Sequence, residues 1–361
     1  MLLRIKKLQA ILKTNNLDCL LLHELEQSKS AQIRYLCGYS GDNALLLVLP
    51  NDAILLTDFR YKAQIAKEVK GAKKVIAQQS LFTELGKFKQ LAVKNLRIGY
   101  LDEYLPAKML GLIKKQLPEV LLVPTNGLVE SIAIVKDAEE ITCIERAVEI
   151  ADVAFDRILQ IIRPGISELD VAAELEYQMK MLGSENPSFE TIIASGYRAA
   201  LPHGRASAKK IKAGEFVTLD FGATYDGYHS DITRTVVIGK ANAKQKKIYN
   251  LVLKAQTAGC RKARAGLRGP DVDKHVRDII SKAGYGKQFG HGLGHGIGLL
   301  IHEGPRLSPL SNDLLQPNMV VTIEPGIYLE GWGGVRIEDD VVITKTGCRI
   351  MNKAEKRLIE L

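Results

Sequence analysis

Apolar positions change their spacing twice along the chain. Leu2, Ile5, Leu8 and Leu12 recur at helical intervals with Arg4, Lys6 and Lys7 between them. That spacing predicts an amphipathic helix, and its charges interrupt the continuous apolar core that a signal peptide needs. From residue 17 to 124 short apolar runs alternate with amphipathic stretches. Leu17 to Leu22, Ala44 to Leu49, Ala53 to Thr57, Lys74 to Ala77, Arg97 to Tyr100 and Val120 to Val123 read as strands; Tyr61 to Glu68, Leu81 to Ala92 and Pro106 to Gln116 read as helices. Such alternation predicts an α/β layer domain over residues 1–124. The turn-rich Pro124-Thr125-Asn126-Gly127 marks its end.

Beyond that turn the pattern lengthens. Asp137-Ala138-Glu139-Glu140 opens a helix whose apolar face runs through Ile144, Val148, Ala151, Phe155 and Ile158 toward Pro164-Gly165. Ser167 starts a second helix reaching Gly183, and Lys240 to Arg264 and Gly269 to Ala283 form another pair. Segments near Phe216, Val236, Val320 and Val341 are β-branched and strand-like. Residues 125–361 are therefore expected to form an α+β domain with helix pairs packed on sheets.

Composition narrows the function classes. Hydrophobic residues make up 46% and charged residues 25% of the 361 positions, the balance of a folded globular protein rather than a fibre or a disordered chain. No stretch approaches the roughly 18 consecutive apolar residues of a membrane span. The net charge of +9 invites a nucleic-acid reading. Residues 1–124, however, hold 19 basic against 11 acidic residues, and the rest hold 31 against 30. The excess is scattered, without a run of like charges, and reads as solvated helix faces. Five cysteines without a C-x-x-C pair argue for a reducing, cytoplasmic setting and against a disulfide or zinc framework.

The chemistry gathers in three segments. In FVTLDFGATYDGYHSDITRTVVIG, residues 216–239, Asp226-Gly227 is a two-residue turn signal. Centred there, the hairpin sets Gly222 opposite Asp231 and Asp220 opposite Thr233. The two aspartates then share a face as diagonal neighbours, roughly 7 to 8 Å apart. Neighbours such as Val217, Leu219, Phe221, Ile232 and Val236 predict burial, where unpaired carboxylates are costly. In HGLGHGIGLLIHE, residues 291–303, three of the seven histidines, His291, His295 and His302, fall among glycines that let an imidazole approach a ligand cluster. Glu324 and Glu338 each interrupt an apolar strand. Two divalent cations would neutralise the four acids, and an oxygen-rich set with one histidine suits manganese better than zinc, with cobalt also acceptable. A dinuclear centre of this kind activates water and polarises a carbonyl, so amide hydrolysis is the expected chemistry.

In these residues the chain resembles the pita-bread metallopeptidases. Asp220, Asp231, His295, Glu324 and Glu338 look like that family's five metal ligands. The 291–303 segment resembles the signature of its proline-specific branch, the Xaa-Pro aminopeptidases and prolidases, and residues 1–124 are similar to the creatinase-like domain those enzymes carry. The resemblance implies that Asp220 serves one metal, His295 and Glu324 the other, and Asp231 and Glu338 both, with Glu324 moving the proton of the attacking water. It further implies that His203, His302, Tyr328 and Arg336 line the substrate site, where the histidines stabilise the tetrahedral intermediate, and that the protein is a homodimer. Creatinase shares the fold without the ligand set, all five members of which are present here.

The resulting expectation is an enzyme cleaving between an N-terminal residue and a following proline. Gly41 to Asn43 and Thr57-Asp58-Phe59-Arg60-Tyr61 resemble aminopeptidase-like members and tilt the reading that way, with an Xaa-Pro dipeptidase as the alternative. A non-catalytic module, binding nucleic acid through its basic domain, is disfavoured because no aromatics are interleaved with the basic residues; neither a nucleic acid nor a membrane is an expected partner. Tyr328 could instead pack on the sheet, and Arg336 could pair with Asp339 or Asp340. His291 is left outside the ligand set, because it could merely bond neighbouring backbone. Tyr197 stands where a proline or a shorter polar residue is expected. Trp332 lies between two glycines with its role open.

Overall fold

In the first region α1 (Leu2–Thr14) leads into β1 (Cys19–Leu25), followed by α2 (Gln32–Cys37), β2 (Asn43–Val48), β3 (Ala53–Thr57), α3 (Lys62–Glu68) and β4 (Lys73–Ile76). Then come α4 (Leu81–Leu85), β5 (Arg97–Tyr100), α5 (Ala107–Gln116), β6 (Leu121–Pro124) and α6 (Glu130–Ala133). The structure is a computed structural model that describes residues 2–26 and 31–361. One sheet in the order β4-β3-β2-β1-β5-β6 holds all six strands. The centre, β1-β2-β3, is an antiparallel meander to which β4, β5 and β6 add in parallel. Both faces are covered: Leu20 and Leu22 are as buried as Leu21, which packs with Leu45, Phe82 and Ile113.

Two local differences from the spacing have simple causes. The helix expected over 81–92 stops at Leu85, where Gly86 follows, and only a 3-10 turn at Lys89–Leu91 continues it. Helix α2 leaves no signal in the spacing, since six residues are too few to display a period.

The chain divides into the compact units Met1–Ala133 and Ile134–Leu361. The division falls later than the turn at 124–127 because α6 bonds back into the first unit. The Tyr35 hydroxyl donates to the Ile132 carbonyl at 3.0 Å, and the Gln32 amide donates to the Glu130 carboxylate.

The second unit opens with α7 (Ala138–Ile158) and α8 (Glu168–Met181), started by capping boxes at Asp137 and Ser167. Next come β7 (Ile192–Ser195), β8 (Phe216–Phe221), the short ribbon β9 (Thr224–Tyr225) and β10 (Tyr228–His229), and β11 (Ile232–Val237). After α9 (Ala243–Lys262) and α10 (Gly269–Lys282) lie β12 (Gly294–Gly296), β13 (Glu303–Leu307), β14 (Val320–Ile323), β15 (Gly326–Leu329), β16 (Gly333–Arg336), β17 (Asp339–Ile343) and β18 (Cys348–Ile350). One antiparallel sheet runs β11-β8-β7, a second runs β13-β12-β14-β17-β18, and β15 pairs with β16. Phe155 and Leu175 of α7 and α8 pack on Leu219 and Phe221. Ile248 and Val276 of α9 and α10 pack on Val321 and Ile323. Among the described residues no helix is long and apolar enough to cross a membrane, and all five cysteines are free thiols.

The register around the Asp226-Gly227 turn is the one the turn residues imply. Tyr225 faces Tyr228, Phe221 faces Ile232 and Asp220 faces Thr233. Between the ribbon and the longer strands the backbones close up. A Cβ on Gly222 would meet the Ser230 carbonyl oxygen at 1.8 Å, so only glycine fits. A second device ties this hairpin to the other sheet. Arg234, 1% exposed, donates to the Glu338, Glu355 and Ala354 carbonyls and pairs with Asp339 at 2.8 Å. Both sheets are thereby locked beside Asp220, Asp231 and Glu338.

Gly222→Ala is expected to destabilise the second unit by about 3 kcal/mol, the upper range for forced overpacking. Urea unfolding followed by circular dichroism measures this, and an unchanged midpoint would show that the two strands can move apart freely.

Candidate metal centre

Five elements each deliver one candidate ligand. Asp220 lies on β8, Asp231 at the entry to β11, His295 on β12, Glu324 directly after β14 and Glu338 directly before β17. All five line one cavity of 540 Å³, together with His203, His302, Arg306 and Arg336. Asp231, Glu324 and Glu338 sit just outside a strand, where the neighbouring ladder fixes the backbone and leaves the carboxylate facing the cavity, while Asp220 is held within β8 between Ile192 and Thr233.

Hydrogen bonds fix the roles of individual atoms. His295 Nδ1 is 3.1 Å from the Gly296 carbonyl, so it carries the proton and leaves Nε2 with a lone pair. That Nε2 lies 3.6 Å from an Asp231 oxygen and 3.5 Å from a Glu324 oxygen. Three electron-rich atoms cannot attract one another across such distances, and a cation between them would convert repulsion into coordination. One atom each from Asp231, His295 and Glu338 lies within 4.8 Å of the others. Thr233 donates to Glu338 Oε2 at 2.6 Å, whereas Glu338 Oε1 and Asp231 Oδ1 are buried without a hydrogen-bond partner. Orphaned acceptors on two acids, beside an imidazole lone pair, fit divalent cations.

The electrostatics carry the same message. Burial pushes the Asp231 and Glu338 carboxyls well above the ordinary range, and the neighbouring acids push them further. Burial raises Glu324 to about 8 against the pull of Arg336. Burial and then the nearby His302 lower His295 to about 4, so its imidazole is neutral and able to coordinate. Behind the ligands, Asp340 Oδ2 accepts the Asp231 backbone N–H at 2.9 Å and Thr322 donates to Glu324 Oε1.

Arg336 has a different partner from the two acids its sequence position suggested. Asp339 is taken by Arg234 and Lys356, and Asp340 by backbone. The Arg336 guanidinium pairs with Asp220 and reaches the Tyr328 hydroxyl at 2.8 Å and the Pro202 carbonyl at 3.3 Å. Tyr328 in turn lies 2.9 Å from His291 Nε2, whose Nδ1 faces the Gly292 carbonyl. His291 thus holds Tyr328 in addition to neighbouring backbone. His302 stacks edge-on against His295 with ring centroids 4.4 Å apart, while His203 is exposed on a loop. Tyr197, 59% exposed, does not line the cavity. Trp332 packs edge-on against Phe216 with Lys244 over its ring.

Sequence reasoning missed Arg306 and Arg205, both lining the cavity, and Thr233 and Thr322, which orient two of the acids. Only Arg306 carried a local signal, lying four residues beyond His302.

Four carboxylates and one neutral imidazole around a water-accessible cavity are a donor set that suits a metal-dependent hydrolytic centre. Residues 142–345 match metallopeptidase family M24, and residues 4–135 match the creatinase/prolidase N-terminal domain, so the chain belongs to that metallopeptidase family. A solved Xaa-Pro dipeptidase from Bacillus anthracis is 42% identical with a TM-score of 0.94, covering 99% of each chain. An Xaa-Pro dipeptidase of Pyrococcus horikoshii is 38% identical over 99% of this chain and 98% of its own. The solved X-Pro aminopeptidase from Thermotoga maritima is 38% identical with a TM-score of 0.91, covering 96% of this chain and 98% of that one. The architecture is accordingly a creatinase-like α/β domain followed by an α+β pita-bread catalytic domain.

Without metal, the folded protein holds protons on acids that the unfolded chain would release. Starting about one unit above 6.5, the ordinary histidine value, the lowered His23, His291, His295 and His302 are neutral in both states and the raised carboxyls set the slope. The metal-free protein should therefore lose stability from there as pH rises to about 8, the raised Glu324 value. Saturating Mn2+ should remove that fall. Thermal unfolding with and without chelator reads both curves, and a metal-free curve that stays level or rises would contradict the assignment.

Proposed function

We propose that the chain is an Xaa-Pro dipeptidase, hydrolysing the bond between one residue and a C-terminal proline. The observation that carries this is Arg306. Its charge is felt by both His295 and His302, it lines the cavity, and it forms no ion pair among the described residues. A free guanidinium beside the reaction centre suits a substrate whose carboxylate lies one residue beyond the scissile bond, which is the case in a dipeptide and not in a longer chain. The dipeptidase names of two of the three relatives above support the same choice.

The tilt toward an aminopeptidase drawn from the sequence is the less supported of the two. The residues behind it have local work in the first unit. Asp58 accepts from the Arg60 backbone at 3.0 Å, pairs with its guanidinium at 2.8 Å and accepts from the Asn43 amide at 2.6 Å. Such a self-contained turn needs no long substrate to explain it.

Asp220, Asp231, His295, Glu324 and Glu338 would hold two divalent cations, Mn2+ before Co2+ or Zn2+, which when bound make a water acidic enough to attack at neutral pH and polarise the scissile carbonyl. The chain's own residues do the rest. Glu324 has one oxygen, Oε1, engaged by Thr322, and its Oε2 takes the proton of the attacking water and returns it to the leaving proline nitrogen. Burial keeps the His302 ring below its ordinary titration range, so it meets the substrate neutral, with one N–H to offer. His302 and His203 donate to the oxyanion that forms on the carbonyl. Arg336, held by Asp220 and Tyr328, keeps that side of the cavity positive and fixed. A homodimer in the cytoplasm accompanies this reading as an expectation.

Wild-type protein with Mn2+ should cleave an Xaa-Pro dipeptide much faster than the corresponding Xaa-Pro-Xaa tripeptide, and the reverse order would restore the aminopeptidase reading. Arg306→Met should raise KM for the dipeptide by about tenfold or more, the loss of one charge-assisted contact, with a smaller change for the tripeptide. His203→Ala and His302→Ala should each lower kcat by about 10²- to 10³-fold with metal content unchanged; loss of metal in either would remove it from the oxyanion role.

A further inference from the structure

Glu168 is the first residue of α8, is 0% exposed, and does not line the cavity. Five donors nevertheless converge on its carboxylate. Oε1 accepts from the Ser195 backbone N–H at 2.8 Å and from the Ser195 hydroxyl at 2.8 Å. Oε2 accepts from Arg198 Nε at 3.0 Å, from the Ser207 N–H at 3.1 Å and from the Ser207 hydroxyl at 2.6 Å. The helix N-terminus adds favourable dipole to this negative charge.

What those donors have in common is the loop between them. Ser195 and Ser207 are its two ends, Arg198 lies within it, and Pro202, His203 and Arg205 are the residues it presents to the cavity. Internally, Arg198 also donates to the Arg205 carbonyl at 2.5 Å. Outside it, Lys209 bonds the Ser195 hydroxyl and the Glu215 carboxylate, and the Leu169 N–H reaches the Ser207 carbonyl. The far side of the loop meets Arg336 through the Pro202 carbonyl. A single buried carboxylate thus closes the base of the loop while the Arg336 fork holds its apex. Closing the base removes most of the conformational freedom that would otherwise spread His203 over many positions.

The geometry points to Glu168 as a positioning residue of the hydrolytic site, which acts through His203 by clamping both ends of the 195–207 loop. This rests on the reading of His203 as an oxyanion donor. Glutamine keeps the size of Glu168 but turns an NH2 toward donors that need an acceptor, so the clamp fails on one side.

The test is a double-mutant cycle with a readout independent of substrate. Glu168→Gln should lower kcat for an Xaa-Pro dipeptide by about 10- to 100-fold, with KM and bound Mn2+ little changed, as expected when a transition-state donor is displaced. In the His203→Ala background the same substitution should cost less than about twofold, because the residue it acts through is gone. In addition, trypsin should nick metal-free Glu168→Gln after Arg198 or Arg205 faster than wild type. Should Glu168→Gln fail to fold by circular dichroism, Ser195→Ala and Ser207→Ala, each removing one donor, carry the same cycle with smaller losses. Equal losses with and without His203 would overturn the proposal and leave Glu168 a staple of the fold, as would wild-type kcat in Glu168→Gln. If the wild type were inert on Xaa-Pro dipeptides, the functional reading would fall separately; the nicking pattern would still decide the clamp, and unchanged nicking would refute it.

Discussion

Four carboxylates and the lone pair of His295 share one buried cavity wall, and the rest of the second unit is arranged around the repulsion this creates. The acids cannot all ionise there unaided, because burial in a low-dielectric setting and mutual repulsion both favour the protonated forms. Among these groups the buried Arg336 contributes one fixed positive charge, and Arg336 with the four acids ionised still sums to −3. Asp231 Oδ1 and Glu338 Oε1 show where compensation is lacking, as buried acceptors with nothing to accept from. Cations supplied to that spot would turn the most costly feature of the fold into its working centre.

Holding like charges together demands a rigid frame, and the frame is built from three kinds of tie. Close packing at Gly222 fixes the hairpin that carries Asp220 and Asp231. Arg234 joins that hairpin to the strand leading out of Glu338 and to the chain near Ala354. Arg336 then links Asp220 to Tyr328 and to the loop of His203, so that one of the candidate ligands and the His203 side of the cavity are held by the same guanidinium. Ligand and substrate walls are consequently coupled through one guanidinium, a positioning that lysine could not reproduce because it lacks the fork.

Much of this frame is legible in the amino-acid sequence. Asp226-Gly227 sets the hairpin register to the residue, because a two-residue turn leaves one pairing that keeps the apolar side chains inside. The helix starts at Asp137 and Ser167 are equally readable, since each cap is a local event within four residues. Contacts made across long separations leave no such trace. Arg336 pairs with an acid 116 residues away and not with the acids beside it. Glu168 reaches Ser195 and Ser207 across 27 and 39 residues, and nothing in its own helix announces that. The aminopeptidase tilt is the less supported reading for a related reason: Asp58, Arg60 and Asn43 form a motif that structure explains locally, whereas Arg306, four residues beyond His302, lines the cavity itself.

Two cations are expected to compensate the buried acids, and counting metal in Mn2+-titrated, gel-filtered protein tests this without reference to any substrate. Two equivalents per chain in the wild type are expected, with at least one lost in Asp231→Asn and in Glu338→Gln while both variants remain folded. Two equivalents retained in both variants, or none in the wild type at saturating Mn2+, would contradict it.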